Sequence, residues 1–297
     1  MKLGVMSFNT EYTMRADKLA CALEERGFES LWLPEHTHIP VPAGVAGDSD
    51  PENGMPRMPD GNFLPEEYRH MSDPFTSLAA AAAVTKKLIL GTCICLINQH
   101  HPINLAKTAS TLDQLSDGRL ILGVGAGWNV AEMGNHGVVF KRRWRELRER
   151  VKALQAIWNY ESTSFVGEFV NFDEMWQYPK PIQPGGPPIV LGTLDTPFGR
   201  KQVAEHGDGW LPLTFDLERT IAGIQDIKTQ MSQLGRDSDQ LDVSLFFLAD
   251  SRQTQATLDR AAEVGANRII LRLPVADERE VLNTLDYYAE LNAKAGK

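Results

Sequence analysis

Apolar residues in this chain come in short runs separated by longer stretches that carry a single apolar stripe. Eight runs are apolar on both strand faces and bounded by turn residues: Lys2–Phe8, Ser30–Pro34, Leu88–Ile97, Arg119–Gly125, Pro188–Gly192, Gly209–Leu213, Asp242–Ala249 and Arg268–Leu273. Between and after them, helical spacing predicts helices near Met14–Arg26, Pro74–Thr85, Ile103–Leu115, Arg142–Trp158, Pro197–Glu205, Leu217–Leu234, Thr254–Val264 and Glu278–Leu291. A strand that is apolar on both faces needs cover on both sides, which parallel sheets obtain from crossover helices. Eight β/α units with no dividing linker predict one α/β domain over residues 1–297, a closed (β/α)8 or TIM barrel.

Two stretches exceed the bare repeat. Thr37–Asp73 is rich in Pro and Gly and far longer than an ordinary strand-to-helix loop, so it is expected to cover the C-terminal mouth of the barrel as a lid or substrate loop. Its Phe63, Glu66 and Tyr68 could face a ligand or turn away from it. Within Ser162–Pro187, the run Phe165-Val166-Gly167-Glu168-Phe169-Val170 ahead of Pro179-Lys180-Pro181 predicts a small hairpin inserted between the fourth helix and the fifth strand.

Hydrophobic residues at 42% and charged residues at 23% suit a packed core and exclude a disordered or disulfide-framed chain. Thirty basic against thirty-nine acidic side chains leave a net charge of −9 and a pI near 5.3, which argues against nucleic acid or an anionic membrane surface as partner. The three cysteines, Cys21, Cys93 and Cys95, fit a reducing cytoplasm. The apolar start Lys2–Phe8 turns polar at Asn9, too short for a signal core, and no run approaches the ~18 apolar residues of a membrane span. The expectation is a cytoplasmic protein that handles small molecules.

In such a barrel the reactive groups come from the C-terminal strand ends. The second strand ends Leu33-Pro34-Glu35-His36-Thr37-His38. A His-x-His pair can be half of a divalent metal site, but the further ligands that later strand ends would supply are missing, so no metal is expected. His36 is then either a ligand-facing catalytic group or a structural side chain. Cys93 and Cys95 read as packed thiols, because a reactive cysteine needs an electropositive, partly exposed setting.

The fourth strand closes Gly123-Val124-Gly125-Ala126-Gly127-Trp128-Asn129. Trp128 breaks the G-x-G-x-x-G spacing of a dinucleotide site, yet repeated glycine still lets a flat or phosphorylated ligand approach the backbone. The fifth ends Gly192-Thr193-Leu194-Asp195-Thr196-Pro197-Phe198-Gly199, with Pro197 suited to the first helical position. That turn is either a phosphate cradle at a helix N-terminus or plain capping. The basic run Lys141-Arg142-Arg143-Trp144-Arg145 overlaps a stripe of Trp144, Leu147, Val151, Leu154 and Trp158, and reads as a solvated outer face rather than a nucleic-acid site.

Several of these segments, in this order, resemble the bacterial luciferase-like superfamily, and within it the oxidoreductases that depend on the deazaflavin coenzyme F420. The resemblance spans nearly the whole chain. It rests on Gly27-Phe28-Glu29-Ser30-Leu31-Trp32-Leu33-Pro34-Glu35-His36, on His101-Pro102 with Ala106-Lys107, and on Leu112-Asp113-Gln114-Leu115-Ser116-Asp117-Gly118-Arg119. The Gly123–Asn129 strand end, Pro179-Lys180-Pro181-Ile182-Gln183 and Gly207-Asp208-Gly209-Trp210 complete it.

The resemblance implies a barrel with an insertion after the fourth unit, a homodimer, and a ring of the isoalloxazine type lying across the strand ends. Hydride would pass to or from C5 of F420, with FMN as the alternative cofactor of a monooxygenase. It implies that His36 stands beside the ring as proton donor or orienter, and that a non-proline cis peptide at Cys93–Ile94 pushes a bulge against the ring. By the same resemblance Gly125, Ala126, Gly127 and Trp128 in one turn, and Gly192, Thr193, Leu194, Asp195, Thr196, Phe198 and Gly199 in the other, hold the ring edge, ribityl chain and phosphate. Arg142 and Arg143 could meet the acidic tail of F420.

The chain also departs from its relatives. Trp128 stands where some sugar-phosphate dehydrogenases of the group carry a catalytic glutamate, and Asp195 and Thr196 replace smaller residues of the phosphate turn. A non-catalytic flavin-binding protein and a metal-dependent barrel hydrolase are the competing readings from other classes.

Overall fold

The computed structural model describes residues 2–40, 65–247 and 255–295. Eight strand positions close into a barrel with every neighbouring pair parallel. In chain order the elements are β1 (Lys2–Met6), α1 (Ala16–Glu25), β2 (Ser30–Leu33), α2 (Pro74–Val84), β3 (Ile89–Thr92), β4 (Cys95–Leu96), α3 (Pro102–Leu115), β5 (Leu120–Gly125), α4 (Val130–Asn135) and α5 (Arg143–Asn159). There follow β6 (Ser162–Val166), β7 (Asn171–Trp176), β8 (Ile189–Leu191), α6 (Pro197–His206), β9 (Gly209–Trp210), α7 (Leu217–Gln233), β10 (Asp242–Phe247), α8 (Gln255–Glu263), β11 (Arg268–Arg272) and α9 (Glu278–Ala295). The ring closes where Lys2 to Met6 of β1 pair with Arg268 to Arg272 of β11. Among the described residues no helix is long and apolar enough to cross a membrane.

The barrel expected from the sequence is therefore observed, with local differences. The run Leu88–Ile97 is interrupted: β3 and β4 both pair with β5, and the Cys93–Ile94 peptide between them is cis, as the resemblance implies. The inserted hairpin forms as β6 and β7, antiparallel, with Phe165 opposite Phe172. A short α4, unforeseen, follows β5. Most of Thr37–Asp73, including Phe63, lies outside the described residues, as do Leu248 and Ala249 of the seventh predicted strand and Thr254. The described end of that loop forms a 3-10 turn, Glu66–His70, tied to the end of β1 by Ser72 N–H donating to Asn9 O at 2.7 Å.

Helix starts follow ordinary capping chemistry. Asp73, Asn129, Thr196 and Asp216 each accept from the backbone N–H three residues on, and Pro74, Pro102 and Pro197 occupy first positions. The principal core lies between the barrel and its helices, and a second cluster that includes Met6, Trp32, Ile121, Val190 and Ile270 fills the barrel itself. Trp32 is fully buried there, its indole N–H donating to Ser30 Oγ at 2.8 Å. It fits only because β3 offers Gly91: a Cβ at that position would come within 2.3 Å of the Trp32 ring. Arg268, bonded to Glu29, Asp242 and Ser244, forms a polar layer beside it. Above this floor, at the C-terminal strand ends, the barrel is open.

Candidate active site

The open space is a cavity of about 1240 Å³. His36, Cys93, Ile94, Ala126, Gly127, Trp128, Gly192, Thr193, Leu194, Thr196, Phe198 and Gly199 all line it, so one cavity gathers most of the expected positions. Its centre is a platform formed by Ile94. A Cβ on Gly125 would meet Ile94 Cδ1 at 1.8 Å, and one on Gly192 would meet Ile94 Cγ2 at 2.5 Å. The two glycines thus receive the Ile94 side chain, and Gly125 supports the platform without itself lining the cavity.

His36 lines the same cavity, its side chain 6% exposed. Its Nδ1 lies 2.7 Å from Oε2 of Glu132, a carboxylate that is 1% exposed. Trp128 meets the imidazole edge-on at 5.5 Å between ring centroids, and Tyr68 lies at 5.4 Å. With Nδ1 engaged, Nε2 is the nitrogen left for a ligand. Burial raises the Tyr68 phenol, so it remains a proton-bearing group at neutral pH.

Sequence reasoning missed Glu132, although Asn129-x-x-Glu132 is an N-cap signature that marks the start of α4. The cap forms, with Asn129 Oδ1 accepting from Glu132 N–H at 3.1 Å, while the Glu132 side chain turns to His36. His38, the other member of the His-x-His pair, faces Thr37 and Asn135, so the two imidazoles serve different partners.

Glu35 also borders the cavity but is 4% exposed. One oxygen accepts from Leu96 N–H at 2.6 Å and the other lies 2.8 Å from His100 Nε2, which pins the chain just after the Cys93–Ile94 bond. Burial alone would lower the His100 imidazole, but its hydrogen bond to Glu35 and the charges of Glu35 and Asp73 outweigh that and raise it. Glu35, Cys95 and His100 are the one group among the described residues with metal-ligand proximity, and their polar atoms already serve one another. Burial pushes the Cys93 thiol up to about 12 and the Cys95 thiol well above its ordinary range, so both stay as inert, packed thiols.

The cavity is chemically polarised. At one end Met6, Phe8, Met71, Leu213 and Phe246 present an apolar surface. At the other, Lys141, Arg143, Arg145 and Arg148 surround the start of α6. This corrects the outer-face reading of the basic run. The stripe Leu147, Val151, Leu154 and Trp158 is buried as expected, but the first turn of α5 overhangs the cavity, where Trp144 meets Phe198 edge-on at 5.5 Å. Arg142 does not line the cavity; it pairs with Glu168, as does Arg145 from within the lining.

A further expectation is corrected. Asp195 turns away from the cavity, held by Arg200 at 2.6 Å and Arg219 at 3.4 Å, so those cations neutralise its charge outside the turn. Trp32, four residues before His36, lies in the barrel floor and not in the cavity lining. In the turn itself Thr196 Oγ1 accepts from Gly199 N–H at 3.0 Å, and Thr193 Oγ1 accepts from the Trp210 indole at 2.9 Å.

Fold and cavity together define a parallel (β/α)8 barrel with its site at the C-terminal mouth. The chain belongs to the luciferase-like monooxygenase family, whose model matches residues 1–296. It is 36% identical over 296 residues to an uncharacterized protein of Mycobacterium tuberculosis, covering 99% of this chain and 98% of that one. It is 28% identical over 207 residues to the F420-dependent glucose-6-phosphate dehydrogenase of Amycolatopsis mediterranei (68% of this chain, 51% of that one). It is also 28% identical over 193 residues to the FMNH2-dependent dimethylsulfone monooxygenase of Pseudomonas fluorescens (64% and 51%). Among solved structures, the monooxygenase RslO1 of Streptomyces bottropensis superposes with a TM-score of 0.77 at 19% identity over 100% of both chains. An F420-dependent secondary alcohol dehydrogenase gives 0.74 at 18% identity over 99% of this chain and 98% of that one.

Proposed function

We propose that this protein is an oxidoreductase that binds coenzyme F420 and exchanges a hydride with a small organic substrate. The observation that carries the choice of cofactor is the basic end of the cavity. Four cations line that end, at and beyond the Thr196 turn, and with Arg145 also paired to Glu168 they still carry more positive charge than one phosphate needs. An anionic chain that continues past its phosphate fits that distribution.

The residues fit the group. Ile94, Gly127 and Trp128 offer a flat apolar berth, Thr193 and Thr196 with the start of α6 suit a phosphate, and the cations of α5 suit an acidic tail. When bound, the deazaflavin supplies a carbon that gives or takes a hydride. The protein's part is to orient the substrate in the apolar end and to move a proton at His36 Nε2, with the Tyr68 hydroxyl as an additional donor. An FMN-dependent monooxygenase is the second reading. It is favoured by the FMN-dependent relative, and the same platform and turn would serve it.

Titrating cofactor-free protein with oxidised F420 and with FMN, following tryptophan quenching, separates the two, since Trp128 and Trp144 line the cavity. Micromolar or tighter F420 binding with FMN at least ~10-fold weaker, about 1.4 kcal/mol, is the expected result. Preference for FMN, accompanied by oxygen consumption on reduction, would move the protein to the monooxygenases.

A further inference from the structure

We infer that Glu132 is a positioning residue that sets the tautomer of His36, so that the imidazole always presents Nε2 to the cavity. The consequence for turnover rests on the oxidoreductase reading above, while the dyad itself can be tested without any cofactor. An ionised carboxylate only accepts hydrogen bonds, so at 2.7 Å the ring donates and Nδ1 carries the proton. In the neutral ring Nε2 is then a bare acceptor, and in the charged ring it is the only N–H free to leave. Either way, proton exchange with a substrate runs through one defined atom. Trp128 and Tyr68 pack against the ring and hold its plane.

The second observation separates positioning from simple stabilisation. Oε1 of Glu132 is buried and has no hydrogen-bond partner among the described residues. Glu35, its neighbour in the same region, is built differently, with one oxygen on His100 and the other on Leu96 N–H. A carboxylate kept for stability would be satisfied as Glu35 is, because an unmet buried acceptor costs free energy. Glu132 spends that free energy on a single contact, and the contact is with the histidine that lines the cavity.

The test is a long-range proton–nitrogen correlation spectrum of cofactor-free protein labelled with 15N-histidine, at pH 8, with the His36 signals assigned by their loss in His36→Gln. Wild type is expected to show a protonated Nδ1. Glu132→Leu is expected to shift His36 to the Nε2–H form that free histidine prefers in water. Glu132→Gln, whose carbonyl can still accept from Nδ1, is expected to keep the wild-type pattern, which also guards against a Leu variant that fails to fold. Under turnover with whichever cofactor binds, Glu132→Leu should lower kcat by roughly 10- to 100-fold, as losses of orienting partners do, with KM and cofactor affinity within about twofold of wild type.

A wild-type spectrum showing Nε2–H, or an unchanged His36 pattern in Glu132→Leu, overturns the inference. Loss of cofactor affinity in parallel with kcat overturns it too, by making Glu132 a binding residue. If neither F420 nor FMN binds, the oxidoreductase reading fails, and the spectra still decide the dyad.

Discussion

Ile94 occupies space that two glycines leave for it, and this single fit controls the shape of the platform. Gly125→Ala would place a methyl 1.8 Å from Ile94 Cδ1, so the side chain must move or the strands must part. We expect a cost of about 1–3 kcal/mol in denaturant unfolding together with weakened cofactor binding. Ile94→Val removes Cδ1, so the double variant should recover most of both losses. Additive losses in this double-mutant cycle would mean that Gly125 serves the platform in some other way. His100 offers a test of how the chain after the Cys93–Ile94 bond is pinned. Its imidazole is raised above the ordinary 6.5, so the stability it contributes is fully present below that pH and is lost as pH rises through the folded-state value. The melting temperature of wild type should therefore fall on the alkaline side of 6.5 more steeply than that of His100→Gln. Parallel curves would remove His100 as the cause. At this scale His36 could be singled out because it stands at the end of the second strand, whereas the Cys93–Ile94 cis bond was implied by the family resemblance and by no local signal. Glu132 could not be singled out, because its partner lies 96 positions away and no local spacing records that contact.

Among elements, the barrel was legible, since runs apolar on both faces alternating with helical stripes admit few other packings, but the short α4 was not. What periodicity does not report is where an element ends relative to the mouth of the barrel. The stripe of α5 reads the same whether its first turn stops at the rim or overhangs it, and so the basic run was misplaced. Thr196, at the start of α6, tests both readings of the strand-five turn. As a cap alone, Thr196→Ala should cost about 1 kcal/mol by denaturant unfolding, and Thr196→Ser close to nothing. As part of an anion cradle it should also weaken the binding of either cofactor about fivefold or more, a loss that Ser restores. We expect both effects. Unchanged affinity in Thr196→Ala would return the turn to plain capping, which the sequence had left open.

Over the whole molecule, two electrostatic facts oppose each other. The chain carries a net charge of −9, yet four cations meet at one end of its cavity. An anionic cofactor is repelled by the first at long range and attracted by the second at contact. Salt separates them, because the screening length is about 30 Å at 0.01 M and about 8 Å at 0.15 M ionic strength. If the contact attraction wins, wild-type affinity for F420 rises as salt is lowered from about 0.5 M to about 0.05 M, where the screening length is still below the dimensions of the barrel. Removing two of the four cations in Arg145→Ala/Arg148→Ala weakens the attraction and at the same time deepens the net charge from −9 to −11, so the salt dependence should vanish or reverse sign in that variant. The same pair of substitutions should affect FMN much less, because FMN has no acidic tail to extend past the turn. A wild-type affinity that is flat or weakens at low salt would show that the basic end is not in contact with the ligand, and the argument for F420 over FMN would fall with it.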